Sequence, residues 1–262
     1  LVHGPLERLP IEFLFRDDPI VPLILPGLPE PRPGKQFSPS DLSTWILLGN
    51  PVDDEGDDKL PGAGEELREV AKIHGMKPLT PRAGDVQAAS LDEAGVQLRV
   101  GAAFDRKALT AALEGNHPIH IATHLIHGSH LIHGCEGGQG RIADVGLEIS
   151  AGSSFCAREI LGSKPRPLAV LDACETAEGR FVDAEGLHGV ARAFLESGTR
   201  NLLVTLWPVE DQAARSFAEK FHRELISGRR PSEAAAAARA HLRASRGIHA
   251  ADWAAFRLVG RD

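Results

Sequence analysis

The sequence predicts an α/β chain: a mostly parallel central sheet with helices on both faces, in three layers. Three observations carry this. Short continuous apolar runs, at 45–49, 119–124, 168–172 and 201–206, read as strands buried on both faces. Segments with apolar residues at three- and four-residue spacing lie between them and read as amphipathic helices. The two kinds alternate along 262 residues, as in a sheet covered by helices.

Taken in order, residues 1–36 mix short apolar runs with many prolines. The run 20–25 can be an edge strand only, because Pro22 has no N–H to donate to a ladder. Trp45-Ile46-Leu47-Leu48-Gly49 reads as a central strand, and the acidic stretch 53–58 as a loop. A helix follows over 65–73, stopped by Gly75. Another starts within 104–109, and the run 119–124 is the next strand. Residues 125–167 are rich in His, Gly and Ser and read mostly as loop, with a short hairpin around Leu147-Glu148-Ile149. The next buried strand runs from Leu168 towards Cys174. The segment 186–195 is helical, with Leu187, Val190, Ala191 and Phe194 on one face. Asn201 to Leu206 is a strand, ended by Trp207-Pro208. Asp211 is expected to cap a long helix carrying Phe217, Phe221 and Leu225, closed by Gly228. An alanine-rich helix spans 232–243, and 253–259 is a last helix end or strand. No repeat is visible. The expectation is one domain over 1–262, with an N-terminal part (1–110) and a catalytic part (111–262) that includes a variable loop at 125–167.

The bulk properties exclude some functions. A net charge of -7, no Tyr and 5% aromatic residues argue against a nucleic-acid platform. An acidic surface suits a basic substrate. Cys135, Cys156 and Cys174 have no framework spacing, and an odd count leaves at least one thiol free, which fits a reducing compartment. No stretch is long and apolar enough to span a membrane, and the opening Leu1-Val2-His3-Gly4-Pro5 lacks a basic-then-apolar leader. A cytoplasmic location is therefore expected. The chain opens without Met, as a fragment or processed piece would.

Chemistry enters at two strand ends. One apolar run ends on His124, and the other leads through Asp172-Ala173 to Cys174. Adjacent parallel strands bring such ends to one carboxyl edge, where a thiol can meet its base. A thiol becomes a good nucleophile once deprotonated, and an imidazole achieves this near neutrality. Cys174 is then the nucleophile and His124 the acid and base, with backbone N–H groups stabilising the oxyanion. Buried cysteines and strand-end histidines are also ordinary core residues. The combination is what points to an active site.

The motifs resemble those of the CHAT family, caspase-like cysteine peptidases of the clan that includes separase. His120-Ile121-Ala122-Thr123-His124 resembles the family's histidine motif, and Val170-Leu171-Asp172-Ala173-Cys174-Glu175-Thr176 its nucleophile motif. Further matches are Leu9-Pro10-Ile11-Glu12-Phe13-Leu14, Leu48-Gly49-Asn50-Pro51, Glu185-Gly186-Leu187, Leu206-Trp207-Pro208-Val209-Glu210-Asp211 and Asp252-Trp253-Ala254-Ala255-Phe256. The resemblance implies a caspase-like three-layer sandwich, a dyad of His124 and Cys174, and no cofactor. Two positions depart from the pattern. Leu125 follows the histidine where the family usually has Gly, and Asp172 stands where it usually has Ser. His127-Gly128 and His133-Gly134 restore a His-Gly pair further on, so His127 is the alternative base.

Asp172 suggests substrate preference. In related families that cleave after Arg or Lys, an Asp two residues before the nucleophile lines the first specificity pocket. A carboxylate there can hold a guanidinium through two hydrogen bonds. Glu210 and Asp211, just past the next strand, are within reach of the same pocket. The expected activity is an endopeptidase acting on a protein or peptide substrate after Arg, with Lys second. Arg141, Arg158 and Arg180 are possible points of self-cleavage. His117, His120, His124, His127, His130 and His133 are dense enough to attract zinc, but they fit no metalloprotease motif and no metal is expected. The rival readings are a noncatalytic interaction module, a hydrolase of other substrates, and an enzyme latent until a sensor protein or domain activates it.

Overall fold

The computed structural model describes residues 38–53, 55, 60–77, 88–127, 145–172 and 185–260. A 3-10 turn at Pro39–Leu42 leads into β1 (Trp45–Gly49), then α1 (Pro61–Ile73), β2 (Ala88–Glu93) and β3 (Val96–Gly101). Next come α2 (Arg106–Glu114), β4 (Ile119–Ala122), β5 (Leu125–His127), β6 (Val145–Ile149), β7 (Ser153–Cys156) and α3 (Ala157–Ile160). The chain continues with β8 (Leu168–Asp172), α4 (Glu185–Glu196), β9 (Asn201–Thr205), α5 (Asp211–Ile226), α6 (Pro231–Ala244), α7 (Ala250–Ala254) and β10 (Phe256–Gly260).

Seven strands make one sheet in the order β10-β9-β8-β4-β1-β3-β2. The five inner strands are parallel, and β2 and β10 are antiparallel edges. Alternation along the inner strands separates two cores. Ile46, Leu48, Ile119, Ile121, Ala169, Leu171, Leu202 and Val204 meet α2, α3 and α4 on one face. Trp45, Leu47, Ala122, Leu168, Val170 and Leu203 meet α1, α5 and α6 on the other. The expected sandwich with a mostly parallel sheet and helices on both faces is the architecture found.

Local chemistry explains the element ends. α1 begins with Pro61 at its first turn, where a missing N–H costs nothing. It ends at Gly75, whose φ of 95° lets its N–H and that of Met76 close back on the Lys72 and Ala71 carbonyls. Asp105 caps α2 by accepting from the Ala108 N–H at 2.8 Å. The buried Arg166 guanidinium lies over the other end of α2, donating to the Leu113 carbonyl at 3.2 Å. Gly49 is needed where β1 meets β4. A Cβ there would lie 2.1 Å from the Ala122 carbonyl oxygen.

Three expectations need correction. The run 119–124 stops being a strand of the main sheet at Ala122, and the chain turns into β5 at Leu125. The region 125–167 is less loop-like than its composition suggests: β5, β6 and β7 form a separate antiparallel sheet, with the expected hairpin as β6–β7. Its apolar residues Val145, Leu147, Ile149 and Phe155 join the core under α4, which is why it is ordered. Asp211 is not the cap of α5. The first intrahelical bonds of α5 run to the Glu210 carbonyl, from Ala213 and Ala214 at 2.8 and 2.9 Å, so Glu210 takes that position. The segments 9–14 and 20–25 lie outside the described residues.

Candidate active site

β4 and β8 are parallel neighbours, with Ala122 opposite Asp172. The pairing extends one step past β4, where the Thr123 N–H donates to the Asp172 carbonyl at 3.0 Å. His124 follows, half-buried at the carboxyl edge of the sheet. It is held from the small sheet. The Thr123 hydroxyl donates to the Glu148 carbonyl at 2.6 Å, and the Glu148 N–H donates to the His124 carbonyl at 2.9 Å. Asp172 ends β8 and is buried. Cys174, Gly128, His130, His133 and Gly134 lie outside the described residues, and so do the side chain of His127, at the end of β5, and two of the three self-cleavage positions, Arg141 and Arg180. Glu210 and Asp211 are exposed at the start of α5. Asp211 lies against Gly62 at the start of α1, where a Cβ would approach its Oδ2 to 2.3 Å.

Sequence reasoning missed what lies beneath Asp172. Glu66 of α1 is 2% exposed, and His120 of β4 and His222 of α5 are fully buried. They form a line. His120 Nε2 is 3.0 Å from Glu66 Oε1, His120 Nδ1 is 3.2 Å from His222 Nε2, and His222 Nδ1 is 2.9 Å from His74 Nε2. The first of these contacts is close but poorly aligned, leaving His120 Nε2 and Glu66 Oε1 without a well-formed hydrogen bond. The rings of His120 and His222 lie parallel, 6° apart, and the edge of Trp45 packs on His222. His74, half-buried at the end of α1, brings the line to the surface.

Burial sets the charges here. It pushes Glu66 up to about 8, opposed by a hydrogen bond with the Asp172 side chain that lowers it. Burial pulls His120 down to about 4, with the charge of Asp172 acting the other way. His74 falls to about 4 through burial and the neighbouring His120, and His222 falls well below its ordinary 6.5 for the same reasons. The three imidazoles are therefore neutral near pH 7. They run in file, and among the described residues no three His, Cys, Asp or Glu side chains converge on a point where a metal could sit. The sequence signal was slight: a histidine inside the apolar stripe of α5, beside Phe221, and a glutamate beside Leu67 in the stripe of α1.

The CHAT domain family model matches residues 5–261. The chain belongs to the CHAT domain family. Over 96 residues this CHAT domain is 38% identical to Tetratricopeptide repeat protein 28 of Mus musculus, a match covering 36% of this chain and 4% of that protein. The Homo sapiens protein of the same name is 34% identical over 99 residues, or 37% of this chain and 4% of its own length. The chain thus spans a small fraction of these relatives. Among solved structures it is similar to the Saccharomyces cerevisiae separase–securin complex, with a TM-score of 0.47 and 17% identity, over 83% of this chain and 12% of that one.

Cys156, buried at the start of α3, is disulfide-bonded. The chain's other two cysteines, Cys135 and Cys174, lie outside the described residues. Among the described residues no helix is long and apolar enough to cross a membrane.

Proposed function

We propose that this CHAT domain is a caspase-like cysteine endopeptidase that cuts a protein or peptide substrate after Arg, with Lys second. One observation supports the reading: β4 and β8 are parallel neighbours with Ala122 opposite Asp172 and the Thr123 N–H bonded to the Asp172 carbonyl, so His124 stands at the edge where β8 ends, two residues before Cys174 in sequence. His124 takes the thiol proton of Cys174, and the thiolate attacks the scissile carbonyl carbon. The imidazolium gives its proton to the leaving amine. A water molecule, deprotonated by His124, then cleaves the thioester and restores the thiol. Asp172 receives the guanidinium of the residue before the cut, and Glu210 and Asp211 add negative charge at the rim. A cytoplasmic setting of bacterial type belongs to this reading, and the state of Cys156 there would follow the local redox poise.

A second reading has one observation in its favour. The curated relatives are named for tetratricopeptide repeats and are far longer than this chain, so the domain can be a module that stays noncatalytic, or latent, until a sensor partner engages it. Short fluorogenic peptides ending in Arg or Lys separate the two, assayed at neutral pH with reductant beside Cys174→Ala. Cleavage lost in the variant supports the peptidase. Equal turnover by both proteins overturns the dyad. Inactivity of both favours the module.

A further inference from the structure

We propose that Glu66 governs the charge of Asp172: the two carboxyls share one proton, and the neutral line His120–His222–His74 holds Glu66 ready to supply it. Glu66 is thus a positioning residue for basic-substrate recognition, and the inference rests on Asp172 being the floor of that pocket.

The geometry supplies the argument. Glu66 and Asp172 come from different layers, α1 and β8, yet both line one small cavity, and the Asp172 side chain acts on Glu66 as a hydrogen-bonding neighbour that lowers its pKa. Two carboxyls in contact and out of water cannot both be ionised cheaply, so the pair retains one proton. A neutral imidazole has one donor and one acceptor, so a line of three can be fully bonded in only two senses. In one sense every Nε2–H faces Glu66: His74 donates to His222, His222 to His120, and His120 towards Glu66 Oε1. The proton on Glu66 is then left for Asp172. A cavity of about 10 Å3 adjoins both carboxyls and is lined by His120 and Thr205 as well. Glu66 Oε1, His120 Nε2 and Thr205 Oγ1 are buried without well-formed hydrogen bonds, and Val170, Leu171, Leu203 and Phe217 supply much of the remaining lining, so the carboxyls meet in a small, mainly apolar space.

The other charges acting on Glu66 come from α5. Asp211 and Glu219 favour the protonated form, and Arg215 opposes them. At neutral pH the pair carries a single negative charge, matched to one guanidinium. Burial holds the second ionisation near pH 8. Above it the pocket gains a further charge, and guanidinium binding tightens.

Agmatine serves as the probe, since it presents a guanidinium without requiring turnover. Its affinity is measured at pH 6.5 and 9 for wild type, Glu66→Gln and Asp172→Asn, beside carbon-13 NMR titration of the Asp and Glu side-chain carboxyls. The thiol and His124 are common to all three proteins, so the difference between wild type and Glu66→Gln reads Glu66. The gain on raising the pH should be about tenfold larger in wild type than in Glu66→Gln, as expected for one added charge near the site. The Asp172 carbon should move in two steps in wild type and one in Glu66→Gln. Equal gains, or a single identical Asp172 step in both proteins, overturns the proposal. No agmatine binding by wild type removes the basic pocket and the proposed role with it. In that case the NMR arm still reports whether the carboxyls are coupled, so the two failures are told apart.

Discussion

Buried imidazoles and a buried carboxyl respond to pH in opposite senses, and the line from His74 to Glu66 contains both. The histidines have folded pKa values below their ordinary 6.5, about 4 for His74 and His120. Below pH 6.5 the unfolded chain takes up protons that the folded chain refuses, so stability falls as the pH drops. Glu66 is raised from 4.5 to about 8, so its contribution is complete below pH 4.5 and disappears as the pH rises to 8. Together these groups give greatest stability near pH 6.5. Chemical denaturation across pH 4–9 should show that maximum, and Glu66→Gln should flatten its alkaline side. An unchanged alkaline slope in the variant would show that Glu66 ionises freely in the folded state. Gly49 is a steric counterpart. Its substitution by Ala puts a methyl 2.1 Å from the Ala122 carbonyl oxygen, forcing β1 and β4 apart. The expected loss exceeds about 2 kcal/mol in urea unfolding. A midpoint equal to wild type would mean that the strands part at no cost.

At the scale of elements, strands buried on both faces were the most legible. β1, β4, β8 and β9 are continuous apolar runs, and α5 declares itself through Phe217, Phe221 and Leu225. The β2–β3 hairpin was not read, although Val96, Leu98 and Val100 alternate with polar residues and Ala94-Gly95 makes the turn with φ of 53° and 77°. Its edge position leaves β2 partly exposed, and that dilutes the apolar signal. The small sheet was hidden differently, because its strands are short and are buried through tertiary contact with α3 and α4. It bears on the site, since β6 holds the segment carrying His124 through Thr123 and Glu148. Thr123→Val removes that hydroxyl and nearly preserves shape. In a working peptidase it should lower kcat by roughly tenfold with little change in KM, because the base is displaced and the pocket is not. A matching rise in KM would place Thr123 in substrate binding instead.

Across the whole molecule, the sequence made the carboxyl edge readable because motif residues sit at the ends of apolar runs. The Glu66–His line was unreadable because its members are far apart in the chain, 54 positions for Glu66 with His120 and 102 for His120 with His222. Nothing in one dimension marks a polar side chain as buried beside another. The cysteines pose the same problem, since pairing is set by folding rather than spacing. Cys156 is disulfide-bonded, and the proposed mechanism requires Cys174 to remain a thiol. Peptide mapping under non-reducing conditions, with free thiols alkylated first, should therefore recover Cys156 joined to Cys135 and Cys174 alkylated. Activity would then survive without reductant, because the bond leaves the nucleophile untouched. A Cys156–Cys174 peptide would make the oxidised protein inactive by construction. Peptidase activity would then appear only as reductant frees the thiol, with a midpoint following the potential of that disulfide.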